Sequence, residues 1–279
     1  MFNLPKQSLR LIRMFTTTKA SRMPEGPEVT TLTKTMRTRF PTNKYKITSM
    51  NLISGRYTSN QPPEGWEQLI SKLPITLNTI QEKGKFIYFQ LDHGISIWST
   101  LGMSGGWTVK MNPRHQRLSM QLETDINTID PGYAKLENIQ LSFCDSRNFG
   151  TFKVCFDPNE LNIRLNKLGA SWLHEDVSYE IFRNLLIKTG KPQRNRRLAV
   201  FLMDQTKTSG IGNYILAEAL YVAKIHPWAK VGALEEIDIE QLYHAIHTII
   251  WESCNSQYDA TSRRYVKSDA GANVYCNYR

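Results

Sequence analysis

Apolar residues recur at helical spacing near the start of the chain, then in short β-rich runs through its middle. Residues 24–40 read as a helix: Val29, Leu32, Met36 and Phe40 share one face, and prolines and glutamates crowd the first turn. Runs rich in β-formers follow at residues 47–52, 75–80, 85–91, 95–99, 118–122, 139–143 and 151–156, separated by turn residues. Strands of this kind pack naturally as a β-sandwich or barrel-like domain. Asp157-Pro158-Asn159 reads as a turn and linker, and beyond it the helical period returns. Phe182, Leu185 and Leu186 form one apolar face, and residues 198–205 and 214–223 form two more helices around Gly210-Ile211-Gly212-Asn213. The longest helix is expected over residues 237–254, with Leu242, Ile246, Ile249 and Ile250 on one side. The expected organisation is α+β in two domains: a leader over 1–23, a β-sandwich domain over 24–157, a helical domain over 158–256, and a polar tail over 257–279.

Composition narrows this picture only a little. The chain has 279 residues, 41% apolar and 22% charged, an ordinary globular balance. No stretch approaches the ~18 to 20 apolar residues of a membrane helix. The net charge of +10 points to an anionic partner, yet its distribution matters more than its total. Lys6, Arg10, Arg13, Lys19 and Arg22, with no acid among residues 1–22, put +5 in the leader and leave +5 for the rest. Any anion-binding surface on the body is therefore a local patch.

The leader is also rich in Ser and Thr, and Leu9, Ile12, Arg13 and Phe15 suit a short amphipathic helix. That is how a mitochondrial or plastid transit peptide reads. An overlong gene model with initiation at Met23 explains the same residues equally well. Either one exposes Met23-Pro24, and the expected location is the mitochondrion or the nucleus. The cysteines are Cys144, Cys155, Cys254 and Cys276; none forms a C-x-x-C pair, so no zinc ribbon or finger is encoded by them. Reduced thiols in an intracellular protein are expected.

The chemistry begins at Met23-Pro24-Glu25-Gly26-Pro27-Glu28-Val29. Read alone, this is a helix start, with proline in the first turn and acids at the positive end of the dipole. A freed N-terminal proline offers something more. Terminal amines have reference pKa values of about 7.7–8.0, so a sizeable fraction is neutral at physiological pH. Such a secondary amine can attack a sugar C1′ and form an iminium, with Glu25 supplying or moving protons. Gly210-Ile211-Gly212-Asn213-Tyr214 lies between two expected helices, where glycines allow a close backbone approach to a phosphate and a helix N-terminus favours the anion. A plain interhelical turn is the alternative. Asp145-Ser146-Arg147-Asn148-Phe149-Gly150 lies between two expected strands. A hairpin tip bearing Arg and Phe can enter a duplex and replace an extruded base; an ordinary hairpin is the alternative.

Taken in order and together, these motifs resemble the formamidopyrimidine-DNA glycosylase/endonuclease VIII family, from Met23 to about Trp228. The resemblance implies a sandwich domain opened by the helix that carries the catalytic terminus, and a helical domain with a helix-two-turn-helix. It implies Pro24 as Schiff-base nucleophile, Glu25 as the adjacent acid and Glu28 as a further carboxylate, with a structural role for Glu28 an even alternative. Lys85, in Gly84-Lys85-Phe86, matches the lysine that assists strand cleavage and grips the backbone; an outward-facing strand lysine is the alternative. Met103, in Leu101-Gly102-Met103-Ser104-Gly105, matches the first void filler, and Arg147 and Phe149 the other two. Met103 alone is ordinary core filling. Arg147 and Phe149 alternate at strand period and can simply share a sheet face. Asn213 matches the phosphate-binding asparagine. Gly26 after Glu25 resembles the endonuclease VIII branch, which implies oxidised pyrimidines and ring-opened or further-oxidised purines over intact 8-oxoguanine.

The implied activity is a bifunctional glycosylase and abasic-site lyase acting on damaged DNA as a monomer, without metal or redox cofactor; no protein partner is inferable. A non-catalytic DNA-binding protein is the rival, and an RNA-associated helix-two-turn-helix protein a more distant one, against which the N-terminal motif and Lys85 argue. Lys188, Lys191, Arg194, Arg196 and Arg197 form a basic cluster that suits either phosphate contact or a solvated loop. His244 and His247 fit a polar helix face better than a metal site, and His226-Pro227-Trp228 a local packing corner. The family's C-terminal β-hairpin finger departs from this pattern. Val274-Tyr275-Cys276-Asn277-Tyr278-Arg279 resembles the approach to the finger, and Arg279 comes too early for the finger arginine; a truncated or mispredicted gene product and a missing finger are the two alternatives.

Overall fold

The structure is a computed structural model that describes residues 23–110, 113–125, 137–173 and 177–264, with side chains to residue 255. The leader and the tail motif at 274–279 lie outside the described residues. The first element is helix α1 (Gly26–Arg39), which begins on Pro27 in its first turn and on a backbone N–H of Glu25 donated to the Glu28 carboxyl at 2.9 Å. Val29, Met36 and Phe40 enter the core of the sheet domain, and Thr31 and Thr33 are buried too. The helix is covered on two sides because it lies between the sheet and the last helix of the chain.

The sheet consists of β1 (Tyr45–Leu52), β2 (Ile75–Lys83), β3 (Phe86–Leu91), β4 (Ser96–Thr100), β5 (Gly105–Thr108), β6 (Gln116–Thr124), β7 (Asn138–Asp145) and β8 (Thr151–Cys155). Short helices α2 (Arg56–Ser59) and α3 (Trp66–Ile70) fill the connection from β1 to β2. All pairings in the sheet are antiparallel, in the order β5-β7-β6-β1-β2-β3-β4-β8. Register breaks in the β1–β6, β2–β3 and β6–β7 pairings are places where a twisted sheet bends. Here they let its two ends face each other. Trp107 of β5 packs edge-on against Phe89 of β3 at 5.0 Å and Phe152 of β8 at 5.7 Å, and Phe143 of β7 meets Phe152 at 4.7 Å. One continuous sheet thus folds over on itself and encloses a sandwich core, and edge-to-face rings at these separations fill it well.

The strand expected over 85–91 starts one residue later, leaving Gly84-Lys85 in the turn. β5, with the sequence Gly-Gly-Trp-Thr, opens on two glycines and was not expected. The hairpin expected around Asp145–Gly150 is not a hairpin. β7 and β8 are not neighbours, and the loop between them carries the chain across the mouth of the folded sheet. The turn at 157 is a helix cap: Asp157 accepts the N–H of Asn159 at 2.8 Å and starts α4 (Pro158–Asn166). Leu161 of that helix packs with Phe86 and Tyr88, so this helix still belongs to the outer face of the sheet.

The helical domain follows: α5 (Tyr179–Ile187), α6 (Lys191–Arg194), α7 (Leu198–Leu202), α8 (Asn213–Val222) and α9 (Glu236–Arg264). Phe182, Leu198, Phe201, Ile215, Leu242 and Ile246 are fully buried in one second core. β9 (Ala170–Ser171) and β10 (Thr208–Ser209) form a two-residue parallel pair beside the turn that introduces α8. No helix among the described residues is long and apolar enough to cross a membrane.

Candidate active site

Three segments from different parts of the chain meet where the domains touch: the start of α1, the β2–β3 turn at Gly84-Lys85, and the turn at residues 209–214. Backbone comes against backbone there. The N–H of Gly26 donates to the carbonyl of Gly210 at 2.8 Å, and a Cβ on Gly26 would stand 3.1 Å from the Gly210 Cα. Gly210 has φ +101°, a conformation natural only to glycine. Gly212 is closer still to functional groups, since a Cβ on it would overlap both the Glu25 carboxyl group and the Lys85 Nζ. Residue identity at 26 and 212 is therefore set by close approach, and at 210 by the positive φ.

Glu25 is 1% exposed, and its carboxyl sits on the N-terminus of α8. Oε1 accepts the N–H of Tyr214 at 2.9 Å and Oε2 that of Ile215 at 3.3 Å. The sequence suggested an anion from outside at this helix end; the structure places the chain's own carboxylate there. First-turn N–H groups lack partners within their helix, and the helix dipole favours negative charge at that end. Burial raises the Glu25 pKa, while Lys85 and the N–H groups of Tyr214, Ile215 and Gly212 pull against it. Lys85, half-buried, is shifted the other way: burial lowers its pKa, while Glu25 and Glu28 act to raise it. Glu28, 6% exposed, is pushed by burial up to about 7. Its opposing stabilisers are the N–H of Glu25 and the Tyr214 hydroxyl, which lies 3.0 Å from both carboxyl oxygens. Pro24 is buried at the head of this cluster. Carboxyl groups that hold protons more tightly than usual, beside an amine that holds its proton less tightly, are suited to proton transfer near neutral pH.

The structure brings Pro24, Glu25, Glu28 and Lys85 together. Asn213, the first residue of α8, is exposed beside them, its Nδ2 4.0 Å from the Met23 sulfur.

Met103, Arg147 and Phe149 form a second group. The Arg147 Nη1 approaches the Met103 sulfur at 3.5 Å, and Phe149 lies against Gly102. Phe149 is 54% exposed, an unusual position for a phenylalanine on a loop whose backbone is tightly held. The holder is Asp145, which sequence reasoning passed over although it begins the same motif. Its carboxylate accepts the Ser104 hydroxyl, the N–H of Arg147 at 3.1 Å and the N–H of Gly150 at 2.7 Å. Burial works to raise the Asp145 pKa, but these donors outweigh it and hold the carboxyl below its usual range. A sheet face shared by Arg147 and Phe149 is excluded, because both lie in the loop rather than in a strand.

Other residues singled out by sequence have local partners. Arg196 pairs with Asp204 at 3.2 Å, and Arg197 lies 3.7 Å above the Trp228 ring. His244 and His247 are exposed on α9 with their rings against Tyr243. Sequence reasoning missed Ser253, whose hydroxyl reaches Tyr214 at 3.1 Å. Nothing local in the sequence marks it, since its partner lies 39 residues away.

Two family models match the chain: the formamidopyrimidine-DNA glycosylase N-terminal domain over residues 23–152, and the formamidopyrimidine-DNA glycosylase H2TH domain over residues 168–264. The formamidopyrimidine-DNA glycosylase of Lactococcus lactis subsp. lactis is 30% identical over 230 residues, 82% of this chain and 77% of that relative. The formamidopyrimidine-DNA glycosylase of Bacillus subtilis is 28% identical over 255 residues, 91% of this chain and 85% of the relative. Among solved structures, MutM in complex with carbocyclic 8-oxo-G containing DNA aligns with a TM-score of 0.67 at 26% identity, covering 84% of this chain and 80% of that one. The Lactococcus lactis Fpg with abasic site containing DNA aligns with a TM-score of 0.65 at 26% identity, covering 84% and 79%.

Proposed function

This chain belongs to the formamidopyrimidine-DNA glycosylase family, and we propose that it excises oxidised bases from DNA with the amine of Pro24 and then cleaves the strand at the resulting abasic site. The single observation that carries the reading is the cluster at the start of α1. Glu25, Glu28 and Lys85 converge beside Pro24 with pKa values displaced toward neutrality. Solved relatives bound to carbocyclic 8-oxo-G containing DNA and to abasic site containing DNA support damaged DNA as the substrate.

The steps follow from the groups present. The neutral Pro24 nitrogen attacks C1′ as the bond to the damaged base breaks, and the proton that the nitrogen sheds on bonding to C1′ passes to the departing base. Protonation of the sugar ring oxygen by Glu25 opens the ring and leaves an iminium on Pro24. Loss of a C2′ proton then expels the 3′ phosphate, and a second elimination expels the 5′ phosphate. Lys85 holds the strand and assists cleavage, and Asn213 at the head of α8 contacts a phosphate. Met103, Arg147 and Phe149 occupy the space of the extruded base. From Gly26, which resembles the residue of the endonuclease VIII branch, we infer a preference for oxidised pyrimidines and ring-opened or further-oxidised purines over intact 8-oxoguanine.

Borohydride trapping on duplex DNA with an oxidised pyrimidine or an abasic site, using protein that begins at Pro24, tests the reading. A covalent adduct that disappears in Pro24→Gly is expected. Equal trapping by the variant, or none by the wild type, ends the assignment. N-terminal sequencing of protein recovered from cells shows whether Pro24 is free.

A further inference from the structure

Glu28, Tyr214 and Ser253 come from three different helices, α1, α8 and α9, and form one hydrogen-bonded chain. Glu28 Oε2 accepts the backbone N–H of Glu25, the nitrogen of the peptide bond formed with the Pro24 carbonyl, at 2.9 Å. The Tyr214 hydroxyl is 3.0 Å from Oε1 and 3.0 Å from Oε2, and its oxygen is 3.1 Å from the Ser253 hydroxyl. Glu28 and Ser253 are buried, with 6% and 4% of their surface exposed.

Phenol and serine hydroxyls both donate and accept. With Glu28 ionised, Tyr214 donates to the carboxylate and Ser253 donates to Tyr214. With Glu28 neutral, the carboxyl O–H donates to the Tyr214 oxygen, and Tyr214 donates to Ser253. No heavy atom has to move between the two arrangements. A phenylalanine in place of Tyr214 would leave a buried carboxyl short of a partner, and that cost falls hardest on the charged form.

We propose that Tyr214, backed by Ser253, is a positioning residue that holds the Glu28 carboxyl against the Pro24–Glu25 peptide and keeps it hydrogen-bonded in both its charged and its neutral form. The role rests on the reading of Pro24 as the reacting group. It explains why a tyrosine one residue past the exposed Asn213 turns inward rather than toward solvent. Among the described residues, the titratable groups that act on Glu28 include Glu25, at the N-cap of its own helix, Lys85 from the β2–β3 turn and Cys254 from α9. Burial drives Glu28 toward neutrality, and the Tyr214 hydroxyl is among the groups that oppose it.

The test combines a measurement on the protein alone with one on the reaction. Carbon-13 NMR of the glutamate carboxyls in the full chain follows the Glu28 titration, assigned with Glu28→Gln, in wild type, Tyr214→Phe, Ser253→Ala and Ser253→Thr. Loss of one hydrogen bond to the carboxylate is expected to raise the Glu28 midpoint by about one pH unit in Tyr214→Phe. Ser253→Ala should move it the same way by less, and Ser253→Thr should leave it in place. The pH profile of borohydride trapping on abasic duplex DNA, with protein beginning at Pro24, should shift in parallel. An unmoved Glu28 midpoint in both Tyr214→Phe and Ser253→Ala overturns the link between these residues. A shifted midpoint with an unshifted trapping profile overturns the positioning role. Wild type that forms no adduct removes the Pro24 reading and the positioning role with it, while the NMR titration still decides whether Tyr214 governs Glu28.

Discussion

The Glu25 carboxyl caps the helix that begins at Asn213, accepting the N–H of Tyr214 at 2.9 Å across 189 residues of sequence. The side chain next to Pro24 is thereby part of the helical domain's own architecture. A helix end that lacks four backbone partners is satisfied from the other domain, so the relative placement of the domains and the geometry of the site are one arrangement.

Glu25→Gln keeps the shape and one acceptor oxygen but loses the charge and the transferable proton. Borohydride trapping should fall by ~10²- to 10⁴-fold, the usual worth of a positioned general acid or base. Circular dichroism should show the folded state retained. Trapping within a few-fold of wild type would remove Glu25 from the proton-transfer role.

Gly212→Ala adds a methyl group where the Glu25 carboxyl and the Lys85 Nζ already lie. Overpacking of this kind costs about 1–3 kcal/mol. Urea unfolding should report that loss, and trapping should fall more than stability alone explains because two site residues are displaced. Gly26→Ala should be milder, since its new contact is with the Gly210 Cα at 3.1 Å. Equal effects of the two substitutions would contradict the geometry.

Stability should decline as pH rises from about 4.5 to about 7, through the window set by Glu28, whose pKa is raised from 4.5 to about 7 by burial. In that window Glu28 keeps its proton in the folded protein and has lost it in the unfolded chain, so its term is favourable below the unfolded value and lost as pH rises through the folded one. Glu28→Gln should flatten this part of the curve of unfolding free energy against pH. A slope unchanged by the substitution would assign the proton elsewhere.

Asp145 behaves in the opposite sense. Its pKa is held down in the fold, so its contribution is present above the unfolded value and disappears as pH falls through the folded one. Asp145→Asn should remove that acid-side loss. It should also loosen the loop bearing Arg147 and Phe149, which chemical shifts of residues 146–150 would reveal. A loop unchanged in the variant would show that the Ser104 and Gly150 contacts are not what shapes it.

Phe143 and Phe149 separate packing from display. Phe143 is 1% exposed and Phe149 54%. Phe143→Ala should cost about 3–5 kcal/mol of stability. Phe149→Ala should change stability by no more than about 0.5 kcal/mol, as surface substitutions do, yet slow excision from duplex DNA. Chemical denaturation and single-turnover excision measure the two effects, and a large stability loss in Phe149→Ala would place that ring in the core instead.

Much of the fold was legible because its apolar periods are local. Val29, Met36 and Phe40 mark α1, and Leu242, Ile246 and Ile249 mark α9, through spacing alone. Where the local signal was weak, boundaries slipped. α7 ends at Leu202, short of residue 205, and α9 runs on to Arg264, well past Ile250, the last apolar side chain it buries among the described residues. β5 escaped notice because a strand of two glycines, Trp107 and Thr108 takes its stability from pairing with β7 rather than from its own composition. The loop from β7 to β8 read as a hairpin because strand pairing is non-local, and only the folded sheet shows that its flanking strands lie apart.

The sequence by itself determined the two-domain α+β plan, the helix that starts just after Pro24, and the residue types from which a site of this chemistry could be made. These follow from hydrophobic period, cap residues and side-chain chemistry, which act within a few residues of one another. Only the tertiary structure decided what the glycines at 26, 210 and 212 are for, that the Glu25 carboxyl sits on the α8 terminus, and that Tyr214 and Ser253 reach Glu28. Those relationships join groups distant in the chain, and burial in one desolvated junction sets their protonation. Neither close approach nor desolvation can be read from the order of residues, because both depend on which surfaces the fold brings together.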